Sequence, residues 1–185
     1  MSLIGYNLLN QIVREPSNYD LNAAQILDRL NNEVIETLKQ RKKDGLTRDG
    51  MDINLCIIDT KTKILNYAGA VNYLYVIRNG ELIKLIADTF SIGIPITGVV
   101  EKFTNHEFNI QKDDLFIQYT DGYADQLGGE TGYKKFLYPK FREMFLTIYN
   151  LPMEKQKEVV EQTILKWKGH HEQTDDILVI GFKVY

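Results

Sequence analysis

The chain has 185 residues, 44% hydrophobic and 25% charged, with four prolines and a formal net charge of −3. That length supports one domain with a sizeable core, so a single domain over 1–185 is expected, and the composition excludes disordered and fibrous classes. The mildly acidic balance offers no broad attraction for nucleic acid or anionic lipid, and neither is expected as a partner.

Leu3, Ile4, Leu8, Leu9, Ile12 and Val13 recur at helical spacing, which predicts a first helix to about residue 14, closed off by Pro16. This end lacks the charged start and small-residue cleavage site of a signal peptide, and no run in the chain approaches the roughly 18 apolar residues of a membrane helix. Ile26, Leu27, Leu30, Val34, Ile35 and Leu38 predict a second, amphipathic helix. Asp20 or Asn22 would be its N-cap, Arg41-Lys42-Lys43 would complement its C-terminal dipole, and Asp44-Gly45 would end it.

From Met51 the period changes. MDINLCIID, KILNYAGA, YLYVIR and ELIKLIA read as strands, and Asn79-Gly80 between the last two is a strong hairpin signal. An antiparallel meander is the economical expectation. Cys56, the single cysteine, sits within the first of these runs, so no intramolecular disulfide or cysteine zinc site can form. A buried, inert thiol and a reducing cytoplasm are expected. HEFNI and LFIQYT supply two more strands. Residues 133–148 and 153–167 read as helices parted by Asn150 and Pro152, and 177–185 as a closing strand. Helices, then several antiparallel strands, then helices and a last strand make an α+β pattern.

Three acidic clusters fall at strand ends: Asp49 and Asp52 in RDGMDINL, Asp121 and Asp125 in YTDGYAD, Asp175 and Asp176 in QTDDILVIG. Carboxylates at the mouths of neighbouring strands can converge on one point, and such hard oxygen ligands suit Mg²⁺ or Mn²⁺. Taken singly, each acid reads first as a turn residue or helix cap. His106, His170 and His171 lack the spacing of a zinc site, and HHEQTDD reads as a polar loop. The glycines of LGGETG read as loop punctuation and Trp167 as a packing residue. There is no Gly-x-Ser-x-Gly, no Gly-rich loop ending in Lys-Ser/Thr and no G-x-G-x-x-G after a strand. The common hydrolase, nucleotide-binding and dinucleotide folds are therefore disfavoured.

In order, DGMDINLCIID, LNYAGAVNYLYVIRNGEL, FSIGI, DDLFIQYTDGYADQLGG and EQTDDILVIGFKV closely resemble the C-terminal two-thirds of the SpoIIE-type branch of the metal-dependent (PPM, type 2C-like) protein serine/threonine phosphatases. The resemblance implies an antiparallel β-sandwich flanked by helices, with two Mn²⁺ or Mg²⁺ ions in the intact family and direct attack of a metal-activated water on phosphoserine or phosphothreonine. By motif it implies Asp121 and Asp176 as metal-binding carboxylates, with Asp175 beside them, Gly122 contributing its backbone, and Asp49 or Asp52 an outer-shell contact. In the family a further metal aspartate lies upstream, in an Asp-x-x-Gly-His-Gly type segment followed by a helix similar to MSLIGYNLLN, where this sequence starts. The expectation is therefore a domain lacking its N-terminal strands, with an incomplete site and little or no activity by itself. Exposed sheet edges then imply a homodimer. Val71 and Tyr73 stand where the family commonly has a proline and often a histidine or asparagine, so substrate recognition is expected to differ. The partner implied is a phosphoprotein of a bacterial signalling pathway, such as an anti-sigma-factor antagonist. The alternative is a non-catalytic phosphatase-like scaffold that binds such a partner.

Overall fold

The two apolar stripes that open the sequence form the helices they predict. In a computed structural model, which describes residues 2–41, 50–93, 101–129 and 133–184, α1 spans Ser2–Arg14 and α2 spans Ala23–Arg41. Of the two candidate caps, Asn22 starts α2. Its Oδ1 accepts from the Gln25 amide at 3.0 Å while Gln25 Oε1 accepts from the Asn22 amide at 2.9 Å, a reciprocal capping box. Lys42, Lys43, Asp44 and Gly45 lie outside the described residues.

The strands follow as β1 (Ile53–Asp59), β2 (Ile64–Ala70), β3 (Leu74–Arg78), β4 (Glu81–Leu85), β5 (His106–Asn109) and β6 (Leu115–Tyr119). A one-turn helix α3 (Gly122–Asp125), a small hairpin of β7 (Leu127–Gly128) and β8 (Lys134–Lys135), α4 (Tyr138–Ile148), α5 (Met153–Lys168) and β9 (Val179–Lys183) complete the order. The fold class is α+β with antiparallel sheets and helices, as the pattern of elements predicted.

The meander is not what forms. One sheet has the order β1-β2-β5 and a second the order β4-β3-β6-β9. The chain divides accordingly into two compact units, Met1–Tyr73 with Leu85–Ile110, and Leu74–Lys84 with Gln111–Tyr185. The reason lies in the link after β2. Val71 takes φ 69°, its amide donates to Asp88 O at 2.8 Å, and the Tyr67 hydroxyl donates to Asn72 O at 2.7 Å. These contacts hold the chain leaving β2 in a bend beside Asp88 instead of a hairpin, and β3 joins another sheet. Asn79 and Gly80, at φ 51° and 83°, make the primed turn that their sequence predicted for β3 and β4.

A β-branched residue in the left-handed region is strained by roughly 1–2 kcal/mol. Val71 is also exposed, so little packing opposes its replacement. Val71→Asn is expected to raise stability by about 1 kcal/mol, read as a rise of ~3 °C in the thermal midpoint. An unchanged or lower midpoint would show that the loop carries no such strain.

In the first unit, Leu27, Leu30 and Val34 of α2 are fully buried against Ala68 and Ala70 of β2. Each such aliphatic side chain contributes about 1.5–3 kcal/mol of burial free energy. Cys56, half-buried on β1, has its thiol pushed up to about 12 by burial, which suppresses the reactive thiolate at neutral pH. In the second unit, Tyr75, Ile117 and Tyr119 of the sheet pack on Phe141 and Phe145 of α4 and Ile164 of α5.

The helix expected over 133–148 begins only at Tyr138. Lys134 and Lys135 pair with Gly128 and Leu127 instead, and Leu137 at φ 73° breaks the helical path ahead of Pro139. No helix among the described residues is long and apolar enough to cross a membrane.

Candidate metal centre

β6 and β9 are antiparallel neighbours, paired from Leu115↔Lys183 to Tyr119↔Val179. The C-terminal end of β6, which leads into Thr120-Asp121-Gly122, therefore lies beside the N-terminal end of β9, which follows Asp175-Asp176. Thr120 joins the two. Its amide donates to Leu178 O at 3.0 Å, its hydroxyl donates to Asp176 O at 2.7 Å, and the same hydroxyl accepts from the Leu178 amide at 2.9 Å. The hydroxyl thus fixes the backbone on either side of Ile177.

Gly122 closes the approach. It is buried, and a Cβ at this position would lie 2.4 Å from Asp176 O and 2.9 Å from Asp176 C. Only glycine lets α3 come so near the Asp175-Asp176 backbone. Asp121 occupies the N-cap of α3, with the Asp125 amide donating to its carbonyl at 2.9 Å. Asp121, Asp175 and Asp176 are all exposed at this rim. The Asp175 carboxylate accepts from the Asp176 amide at 2.7 Å.

Asp125 makes a half-exposed ion pair with Lys135 at 2.8 Å, of the kind that adds little stability. Asp52 belongs to the first unit, where its carboxylate accepts from the Ser91 hydroxyl. Asp49 lies outside the described residues. Thr120 was missed by reading the acids alone, although it directly precedes Asp121 in YTDG.

Carboxylates and backbone carbonyls are the donor type that Mn²⁺ and Mg²⁺ take. The donor type at the rim fits. Among the described residues no group of three or more His, Cys, Asp or Glu side chains is placed to hold a metal ion.

Residues 3–185 match the family model for Stage II sporulation protein E (SpoIIE). The chain belongs to the SpoIIE family. The match runs through both compact units, and it makes this SpoIIE-family chain a phosphatase domain of the PP2C-like kind. The SiaA-PP2C domain of Pseudomonas aeruginosa is similar at 25% identity and a TM-score of 0.83, over 98% of this chain and 68% of that one. The PP2C phosphatase domain with a regulatory fragment of SpoIIE from Bacillus subtilis matches at 14% identity and a TM-score of 0.66, over 96% of this chain and 47% of that one. RsbX in complex with magnesium matches at 15% identity and a TM-score of 0.62, over 96% of this chain and 71% of that one. At those lower identities the likeness shows the fold alone. No curated protein matches the chain significantly. The PPM phosphatases to which the SpoIIE family belongs generally use Mn²⁺ or Mg²⁺.

Proposed function

We propose that this SpoIIE-family chain is a single metal-dependent phosphatase domain acting on phosphoserine or phosphothreonine in a bacterial, cytoplasmic signalling pathway. The observation that carries the reading is the docking of Gly122 against the Asp176 carbonyl, which sets the Thr-Asp-Gly and Thr-Asp-Asp segments side by side. Asp121 and Asp176 would hold Mn²⁺ or Mg²⁺, with Asp175 and the Gly122 carbonyl as further donors and Asp49 or Asp52 as outer contacts. When bound, the ions supply an activated water and neutralise charge on the phosphoryl oxygens. The chain's own part is to hold the two acidic segments in register, through Thr120 and the close approach at Gly122.

Affinity for a hard divalent ion rises with the number and charge of its oxygen ligands. The shortage of a third clustered side chain among the described residues supports weak metal binding and little activity for this chain by itself. The same observation favours a second reading, a phosphatase-like scaffold that binds a signalling partner such as an anti-sigma-factor antagonist without catalysis. A homodimer is proposed from β9, which lies at the end of its four-stranded sheet among the described residues, with Ile180 on it 44% exposed and Leu178 just ahead of it 53% exposed.

Calorimetric titration with Mn²⁺ tests the site. The purified chain is expected to bind, and Asp176→Asn to bind at least tenfold more weakly, since loss of even an outer-shell partner costs that much. Equal affinities for the two proteins would remove Asp176 from the site. Binding without hydrolysis of a phosphopeptide would favour the scaffold.

A further inference from the structure

Gln126 follows α3 directly and is 1% exposed. Its Nε2 donates to Leu127 O at 2.9 Å and to Glu172 O at 3.0 Å, and Glu172 lies a few residues ahead of Asp175-Asp176. Its own carbonyl accepts from Trp167 Nε1 at 3.0 Å and from the Phe136 amide at 3.1 Å. The contact continues one step on. The Gly129 amide donates to Trp167 O at 2.9 Å, and a Cβ on Gly128 would lie 1.9 Å from that same oxygen. Gly128 is a site of close approach, Gly129 turns the chain at φ 81° as loop punctuation does, and Trp167 is both packed and hydrogen-bonded.

Among the described residues no donor reaches Gln126 Oε1. A buried carboxamide with an unmet acceptor costs stability relative to an apolar side chain of the same shape. Packing by itself therefore does not account for glutamine here; the cross-link to Glu172 does. Both ends of that cross-link lead to the acids, Gln126 back through α3 to Asp121 and Glu172 forward to Asp176.

The geometry points to Gln126 as a positioning residue of the candidate metal centre. Its carboxamide and the Trp167 indole form one latch between the Asp121 segment and the Asp176 segment, and the latch sets the separation of the two carboxylates. This rests on the metal-site reading above and deepens it by naming what holds the ligands in place. Groups that orient metal ligands from outside the coordination shell cost about 10–100-fold in affinity when removed.

The test uses the full chain with Gln126→Met, which keeps the length and loses the donor, and Trp167→Phe, which keeps a ring and loses the N–H. Two readouts are taken: Mn²⁺ affinity, and amide hydrogen exchange of 121–129 and 172–178 in metal-free protein. Each variant is expected to keep the wild-type far-ultraviolet spectrum, to bind Mn²⁺ at least tenfold more weakly and to exchange faster in both segments together. The double variant should be no weaker than Gln126→Met, because both changes open one latch. Mn²⁺ affinity within about twofold of wild type in both variants, well short of that tenfold loss, overturns the proposal. So does faster exchange confined to 126–129. If the wild-type chain binds no Mn²⁺, the metal-site reading fails and the exchange result decides the latch. If Gln126→Met does not fold, Trp167→Phe carries both readouts.

Discussion

Gly122→Ala is expected to destabilise the chain by about 2 kcal/mol and to remove Mn²⁺ binding. Two effects oppose each other. Alanine is favoured over glycine within a helix by about 1 kcal/mol, and Gly122 opens α3. Against this, the new Cβ would sit 2.4 Å from Asp176 O, a backbone atom that cannot swing away as a side-chain tip would. Overpacking of this sort costs about 1–3 kcal/mol, and a fixed carbonyl places the cost at the upper end, so the clash wins. Relief requires the Asp175-Asp176 backbone to retreat, which breaks the 2.7 Å bond from Thr120 Oγ1 to Asp176 O and separates the two acidic segments. Urea unfolding and Mn²⁺ calorimetry on the same preparation read both effects. A variant as stable as wild type with unchanged Mn²⁺ affinity would mean that the close approach at Gly122 does not position the site.

Asp114→Ala is expected to cost about 3 kcal/mol. Asp114 is fully buried, and its carboxylate accepts from Arg78 Nε at 2.8 Å, from Arg78 Nη2 at 2.7 Å and from the Gln111 amide at 2.8 Å. The bidentate pair ties β3 to the turn that leads into β6, and the Arg78 guanidinium is held above its ordinary value chiefly by its hydrogen bonds to Asp114. Removing the carboxylate takes the bidentate charged partner from Arg78 and the acceptor from the Gln111 amide at once. Breaking a buried pair costs about 3–5 kcal/mol, and the lower end applies because Arg78 keeps some access to water. Asp114→Asn retains an acceptor and should lose roughly half as much. A loss below about 1 kcal/mol in urea unfolding would place the pair with ordinary surface ion pairs.

Much of the secondary structure was legible because it depends on short-range rules. The stripes of α1 and α2, the Asn79-Gly80 turn and the β-branched runs of β1, β2 and β6 needed only period and turn chemistry. The start of α4 was not legible. The pattern of 133–148 is compatible with a helix, and it is the pairing of Lys134 with Gly128 and the left-handed Leu137 that claims the first residues. Likewise a meander follows from strand order alone, whereas the bend at Val71 sends β3 to a different sheet.

The sequence by itself determined the α+β class, the family and the acidic motifs Thr-Asp-Gly and Thr-Asp-Asp, because these are properties of composition, period and ordered local motifs. Tertiary structure decided what stands beside what. Thr120 meets Asp176 across 56 positions, Gln126 meets Glu172 across 46, and Trp167 meets Gln126 across 41. No local rule specifies such partners. They exist because β6 and β9 pair in one particular register, and because glycine at 122 and 128 lets two backbones approach closer than any side chain would allow.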